Sequence, residues 1–119
     1  MKDQFRFRNF QVYQDAKKAY QSIINLTKSF SRDYFELSDQ LRRAALSVCL
    51  NIAEGSAKQS DKDFRRYILN ALGSTNEIIA GLDIAETINI TNQNSIVDLI
   101  EKYSNIGKQL GGLCKKLQS

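Results

Sequence analysis

Two stretches of this chain hold apolar residues in alternating steps of three and four for many turns. Phe64, Ile68, Ala71, Thr75, Ile78, Leu82 and Ala85 form the first, and Ile96, Leu99, Tyr103, Ile106, Leu110, Leu113 and Leu117 the second. A repeat averaging 3.5 residues keeps one side of an α-helix against a neighbouring helix. No segment alternates apolar and polar residues with the period of two that a half-buried strand requires. The sequence contains no proline, so nothing of that kind interrupts a long helix. Two further segments follow the same rule. Tyr13, Ala16, Tyr20, Ile23, Thr27 and Phe30 predict a helix from about Phe10 to Phe30, with Asn9 as its N-cap. Leu37, Leu41, Ala44, Val48 and Ile52 predict a second from about Phe35 to Glu54, closed by Gly55 in the left-handed conformation. Ser60 is expected to cap the third helix, with Asp61 and Asp63 in its positive first turn. The mostly polar run from Asn89 to Asn94 ends that helix near Ile88, and Ser95 is expected to cap the fourth. Short polar connections force antiparallel neighbours. The expected fold is all-α: one antiparallel up-and-down four-helix bundle domain over residues 1–119.

Composition narrows the function. Histidine is absent, which removes the commonest general base and the commonest metal ligand. Without it no Ser–His or Cys–His pair can form. The glycines at 107, 111 and 112 match no phosphate-binding loop. No acidic set has metal-binding spacing, and capping explains Asp61 and Asp63 better. No enzymatic activity, catalytic residue, cofactor, metal or small-molecule substrate is expected. Cys49 and Cys114 lie far apart on apolar stripes. They read as buried thiols of a reducing cytosol, against a disulfide or a reactive thiol. The N-terminal residues lack an apolar signal core, and no stretch approaches the roughly 20 apolar residues of a membrane span. A cytoplasmic protein with no membrane partner is expected.

Three residue groups stand out. Leu46, Cys49, Leu50 and Ala53 lie off the seam of the second helix. A helix that is apolar on several sides is either deep in a core or buried in a second interface. Self-association is the expectation, and a wider core seam the alternative. Gly73, Ser74 and Gly81 of the third helix join this group as small residues that permit close helix approach, or as surface drift. The second group is Arg42, Arg43, Asn51, Glu54 and Glu77, where arginines sit among apolar neighbours. A buried guanidinium needs a partner. A structural polar network is expected, with an arginine–phosphate contact or plain surface exposure as alternatives. The third group is basic. Net charge is +4, spread as +4 over residues 1–30, zero over 31–60, −2 over 61–90 and +2 over 91–119. In an up-and-down bundle both termini share an end, so Arg6, Arg8, Lys115 and Lys116 are expected to form one basic rim, with Lys2, Lys17 and Lys18 adding to it; charges that only keep the surface soluble are the alternative. Phe5 and Phe7 alternate with Arg6 and Arg8, and packing onto the bundle is expected before base stacking.

The stretch Gln40-Leu41-Arg42-Arg43-Ala44-Ala45-Leu46-Ser47-Val48-Cys49-Leu50-Asn51-Ile52-Ala53-Glu54-Gly55 resembles the signature of the 23S rRNA intervening-sequence protein family, also called four helix bundle proteins. Phe10 to Ala16 is similar to the family opening. Phe64, Tyr67-Ile68, Ala71-Leu72-Gly73-Ser74 and Glu77 are similar to a later family motif, so the resemblance covers about residues 5–117. Cys49 stands where many members carry proline, which predicts a straighter second helix. The resemblance implies an up-and-down bundle that assembles as a ring-like homopentamer, and it supports Glu54 and Glu77 as partners for the arginines. Members are often encoded inside insertions in bacterial large-subunit rRNA genes. A related group, the accessory protein of diversity-generating retroelements, binds nucleic acid and a reverse transcriptase. The leading expectation is a non-enzymatic oligomeric bundle associating weakly with RNA or DNA through its basic rim. The alternative is a protein–protein interaction scaffold with no nucleic-acid role.

Overall fold

The computed structural model describes residues 5–118. Four helices occupy most of them: α1 (Gln11–Thr27), α2 (Phe35–Ser56), α3 (Asp61–Thr87) and α4 (Gln93–Lys116). Short 3-10 turns at Arg6–Asn9 and Arg32–Tyr34 precede α1 and α2, and no strand occurs among the described residues. Each helix packs on its neighbour in sequence, α1 closes the ring against α4, and the two diagonal pairs stay apart. Bonds between helices set the direction. Along α2 and α3, Gln40 meets Glu77 and Ser47 meets Ser74, so residue numbers rise on one helix as they fall on the other. Arg42 with Thr27, Gln109 with Asp15 and Arg65 with the Cys114 carbonyl place the other three pairs. The result is an antiparallel up-and-down four-helix bundle, 48 Å long and little more than 20 Å across.

The heptad residues form the core. Ile23, Leu41, Ile52, Ile68, Ile78, Leu82, Ile96, Ile106 and Leu110 are all essentially sealed from solvent. Burying one such side chain contributes about 1.5–3 kcal/mol, and this seam holds the four helices together. Tyr103 is buried as deeply, and its hydroxyl finds no hydrogen-bond partner among the described residues. Tyr13, Tyr20, Phe30, Leu37, Leu113 and Leu117 lie at the margin, partly buried against the core. Cys49 and Cys114 are buried free thiols. No helix of the described residues is long and apolar enough to cross a membrane.

Helix ends depart from expectation at three points. Phe10, not Asn9, precedes the first turn of α1, in extended conformation and without a side-chain cap. Asn92 rather than Ser95 caps α4, its side chain accepting from the Asn94 amide. Gly55 does not end α2 in the left-handed region: it is helical, and no glycine has positive φ among the described residues. A Cβ at Gly55 would lie 2.8 Å from Cβ of Tyr67 and 2.9 Å from the Phe64 ring. The glycine therefore serves close packing of α2 on α3. Ser60 does cap α3, accepting from the Asp63 amide at 3.1 Å.

Candidate nucleic-acid interface

Up-and-down topology gathers the start of α1, the end of α2, the start of α3 and the end of α4 at one end of the bundle. Arg6 and Arg8 arrive with the first 3-10 turn, and Lys115 and Lys116 with the last turn of α4. The fold adds Lys58, Lys62, Arg65 and Arg66 from the α2–α3 connection and the first turns of α3. Eight basic residues thus face three acidic ones there: Glu54, Asp61 and Asp63. The opposite end is the reverse. Lys28 and Arg32 are outnumbered by Asp33, Glu36, Asp39, Asp83, Glu86 and Asp98. The bundle is electrically polar along its long axis.

Two of the eight cations are already engaged in the fold. Arg6 Nε donates to the Ser56 carbonyl at 3.1 Å, and its guanidinium lies 5.9 Å and 5.4 Å from the Phe10 and Phe64 ring centroids. Arg65 Nε donates to the Cys114 carbonyl at 3.3 Å. Each arginine so satisfies a carbonyl in the last turn of a helix, where the helix dipole favours a cation. Arg6, expected as a nucleic-acid contact, is a clamp between α2 and the N-terminal segment. Arg8, Lys58, Lys62, Arg66, Lys115 and Lys116 stay exposed. Lys58 and Arg66 both approach the Tyr67 ring, at 5.0 Å and 4.9 Å, and Arg66 lies 3.7 Å from Asp63. Lys17 and Lys18 do not join this end. They lie on the flank of α1, about 10 Å along the helix from its first residue, Lys17 over the Tyr13 ring and Lys18 in a cleft with Asp15 and Lys102. Lys2 lies outside the described residues. Phe7 packs edge-on against Tyr13, with centroids 5.0 Å apart, and Phe5 packs edge-on against Phe7.

The expected polar network separates into local pieces. Arg42 is half-buried and donates from Nε to Thr27 Oγ1 at 2.7 Å, joining α2 to α1. Arg43 is exposed and pairs with Asp39 one turn away at 2.9 Å. Glu54 is exposed too, so the two form no buried pair. Glu77 accepts from Gln40 at 2.6 Å on the surface. Asn51 donates to the Ser47 carbonyl and hydroxyl, and Ser74 donates to that same hydroxyl at 2.9 Å. Helix α2 continues unbroken through Cys49.

The expected self-association residues also divide. Leu46 and Leu50 are exposed, at 41% and 54%, and Ala53 is half-buried. Gly73 is exposed, with open space around it. Cys49 and Gly81 are corrected: both are buried within the chain. A Cβ at Gly81 would lie 2.7 Å from Leu41 Cδ2, so the close approach it permits is that of α2 to α3 within one molecule. Ser74 is half-buried and engaged with α2. Burial pushes the Cys49 thiol up to about 11 and raises that of Cys114. No group of three or more His, Cys, Asp or Glu among the described residues could hold a metal.

The family model for the 23S rRNA-intervening sequence protein matches residues 8–112. The chain belongs to that family. The family match takes in Arg8, Lys58, Lys62, Arg65 and Arg66, whereas Lys115 and Lys116 lie beyond it. A crystal structure from Bacteroides thetaiotaomicron, described as a protein of unknown function from the S23 ribosomal protein family, has the same fold. It superposes with a TM-score of 0.83 at 24% identity, covering 87% of this chain and 98% of that one. None of the proteins with curated functions matches the chain.

Proposed function

We propose that this member of the family is a non-catalytic helical module that assembles with itself and presents its basic end to a nucleic-acid backbone. The division of charge between the two ends carries this reading. Surface charge scattered only for solubility would not sort by end, whereas a phosphodiester backbone needs the cations together. The family name, which refers to an intervening sequence of 23S rRNA, is in keeping with such a partner. Self-assembly is supported by Leu46, Leu50 and Ala53, whose spacing of four and three places an apolar ridge along the outside of α2. The resemblance implies a homopentamer. Assembly matters because one end offers only about six exposed cations, too few for tight binding at physiological salt. A ring repeats the end, and later contacts gain from effective concentration. No base-reading element accompanies the cations, so binding is insensitive to sequence.

The test is binding of labelled RNA and DNA at about 50 and about 200 mM salt, with wild type beside an Arg8/Lys115/Lys116→Ala variant. Wild type is expected to bind at the lower salt and lose affinity steeply at the higher, and the variant to bind more weakly. Absence of wild-type binding at low salt would leave an interaction scaffold as the reading.

A further inference from the structure

Within that reading, we infer that the phosphodiester backbone of a nucleic-acid duplex tracks along the outer α3/α4 face of the basic end. The register of these helices is fixed by two contacts. Arg65 bonds the Cys114 carbonyl, and a Cβ on Gly107 would lie 3.7 Å from Thr75. Antiparallel packing then sets Arg66 level with Lys115, and Gly73 level with Lys108, to within about a turn. Lys62, Arg66, Lys108 and Lys115 are all exposed. From Lys62 to Gly73 the sole carboxylate is Asp63, and from Ser104 to Lys116 there is none. Eleven helical steps run from Lys62 to Gly73, about 16 Å of face.

Between these cations Leu69, on the same face of α3 as Lys62, Arg66 and Gly73, is exposed, and the neighbouring glycines add no side chain. Gly73 and Gly111 have open space where a Cβ would stand, as does Gly112, which borders the groove of α4 with Phe10 and Gln11. All three sit inside helices, where glycine costs roughly 1 kcal/mol against alanine. Low relief around the single apolar side chain of Leu69 lets a bulky backbone settle between the flanking cations. No aromatic ring is exposed on this stretch: Phe64 is buried, and Tyr67 is half-buried beneath Lys58 and Arg66. Base stacking, the main source of single-strand affinity, has no platform here. Charge density decides instead, and a duplex carries more of it per unit length.

The experiment uses the full chain, with duplex and single-stranded RNA and DNA of equal length. It compares wild type with Lys62/Arg66/Lys108→Gln, which replaces exposed charges, and with Gly73/Gly111→Leu, which fills open space without changing charge. Helicity by circular dichroism confirms that each variant is folded. Wild type is expected to prefer the duplex. The charge variant is expected to lose at least about tenfold in duplex affinity, and its salt slope to fall by about two to three. The glycine variant is expected to weaken binding at unchanged salt slope. Wild-type affinity retained by either variant overturns the track while leaving the basic-end reading intact, as does preference for the single strand. Failure of wild type to bind any strand removes the reading itself.

Discussion

A helical glycine destabilises its helix unless something fills the space a methyl group would need, and this separates the glycines of the chain into two kinds. At Gly55 the obstacle is the Cβ of Tyr67, an atom fixed to the backbone that cannot swing aside. Gly55→Ala is expected to destabilise by about 1–3 kcal/mol, the usual cost of overpacking. Gly73→Ala meets nothing and should stabilise by up to about 1 kcal/mol; urea midpoints of both variants measure the contrast. From sequence alone a glycine after an apolar helical run fits a helix stop as well as a close helix approach. Only the position of α3 decides between the two uses. Tyr103 makes a related point, since its buried hydroxyl is unpaired. Tyr103→Phe removes a desolvated polar group and is expected to raise stability by about 1 kcal/mol, visible as a higher urea midpoint. Burial also sets a pH dependence. The Cys49 thiol titrates near 9.0 when unfolded and at about 11 when folded, so folding favours the protonated form. Its contribution is fully present below pH 9 and is lost as pH rises towards 11. Cys49→Ala should flatten that part of a stability–pH curve measured by urea unfolding.

Helix α2 is the element where seam and surface were hardest to tell apart from sequence. Its seam was readable because Leu41, Ala44, Val48 and Ile52 recur at steps of three or four, and all four are buried. Its flanks were not readable, because both sides of the seam carry apolar residues. Cys49 turned inward and Leu50 outward, one residue and about 100° apart. The same rotation separates the two arginines. Arg42 reaches Thr27, whose hydroxyl also bonds the Ile23 carbonyl, so losing the arginine leaves no orphaned buried group. Arg42→Ala is expected to cost about 1–2 kcal/mol, as for one charge-assisted hydrogen bond and some packing. Arg43 is 74% exposed beside Asp39, and Glu54 is exposed. Arg43→Ala and Glu54→Ala should each cost less than about 0.5 kcal/mol. Thermal unfolding of the three variants tests the order. An equal loss at Arg42 and Arg43 would mean that the half-buried bond to Thr27 contributes nothing beyond a surface pair.

The charge polarity of the whole molecule was hidden from windowed counting along the sequence. Residues 61–90 sum to −2, yet that window spans the full length of α3 and averages Lys62, Arg65 and Arg66 at one end with Asp83 and Glu86 at the other. Counting by bundle end, which needs only the up-and-down topology, separates them. The polarity has a consequence for assembly. If subunits stand side by side with axes parallel, as in a ring about a common axis, basic ends crowd together on one side and acidic ends on the other. Like-charge repulsion then opposes the apolar contact made by Leu46 and Leu50. Screening shortens the reach of these charges to about 8 Å at physiological ionic strength and about 3 Å at 1 M. Parallel assembly should therefore tighten as salt rises, while the proposed nucleic-acid binding should loosen. An antiparallel or end-to-end arrangement would place opposite ends together and loosen with salt instead. Light scattering at micromolar protein over a salt series distinguishes these arrangements. The expected outcome is an oligomer of about five chains whose dissociation midpoint falls to lower concentration with added salt, and Leu46/Leu50→Glu is expected to yield a helical monomer. A monomer mass for wild type at every salt would remove self-association, and with it the multivalency on which tight polyanion binding depends.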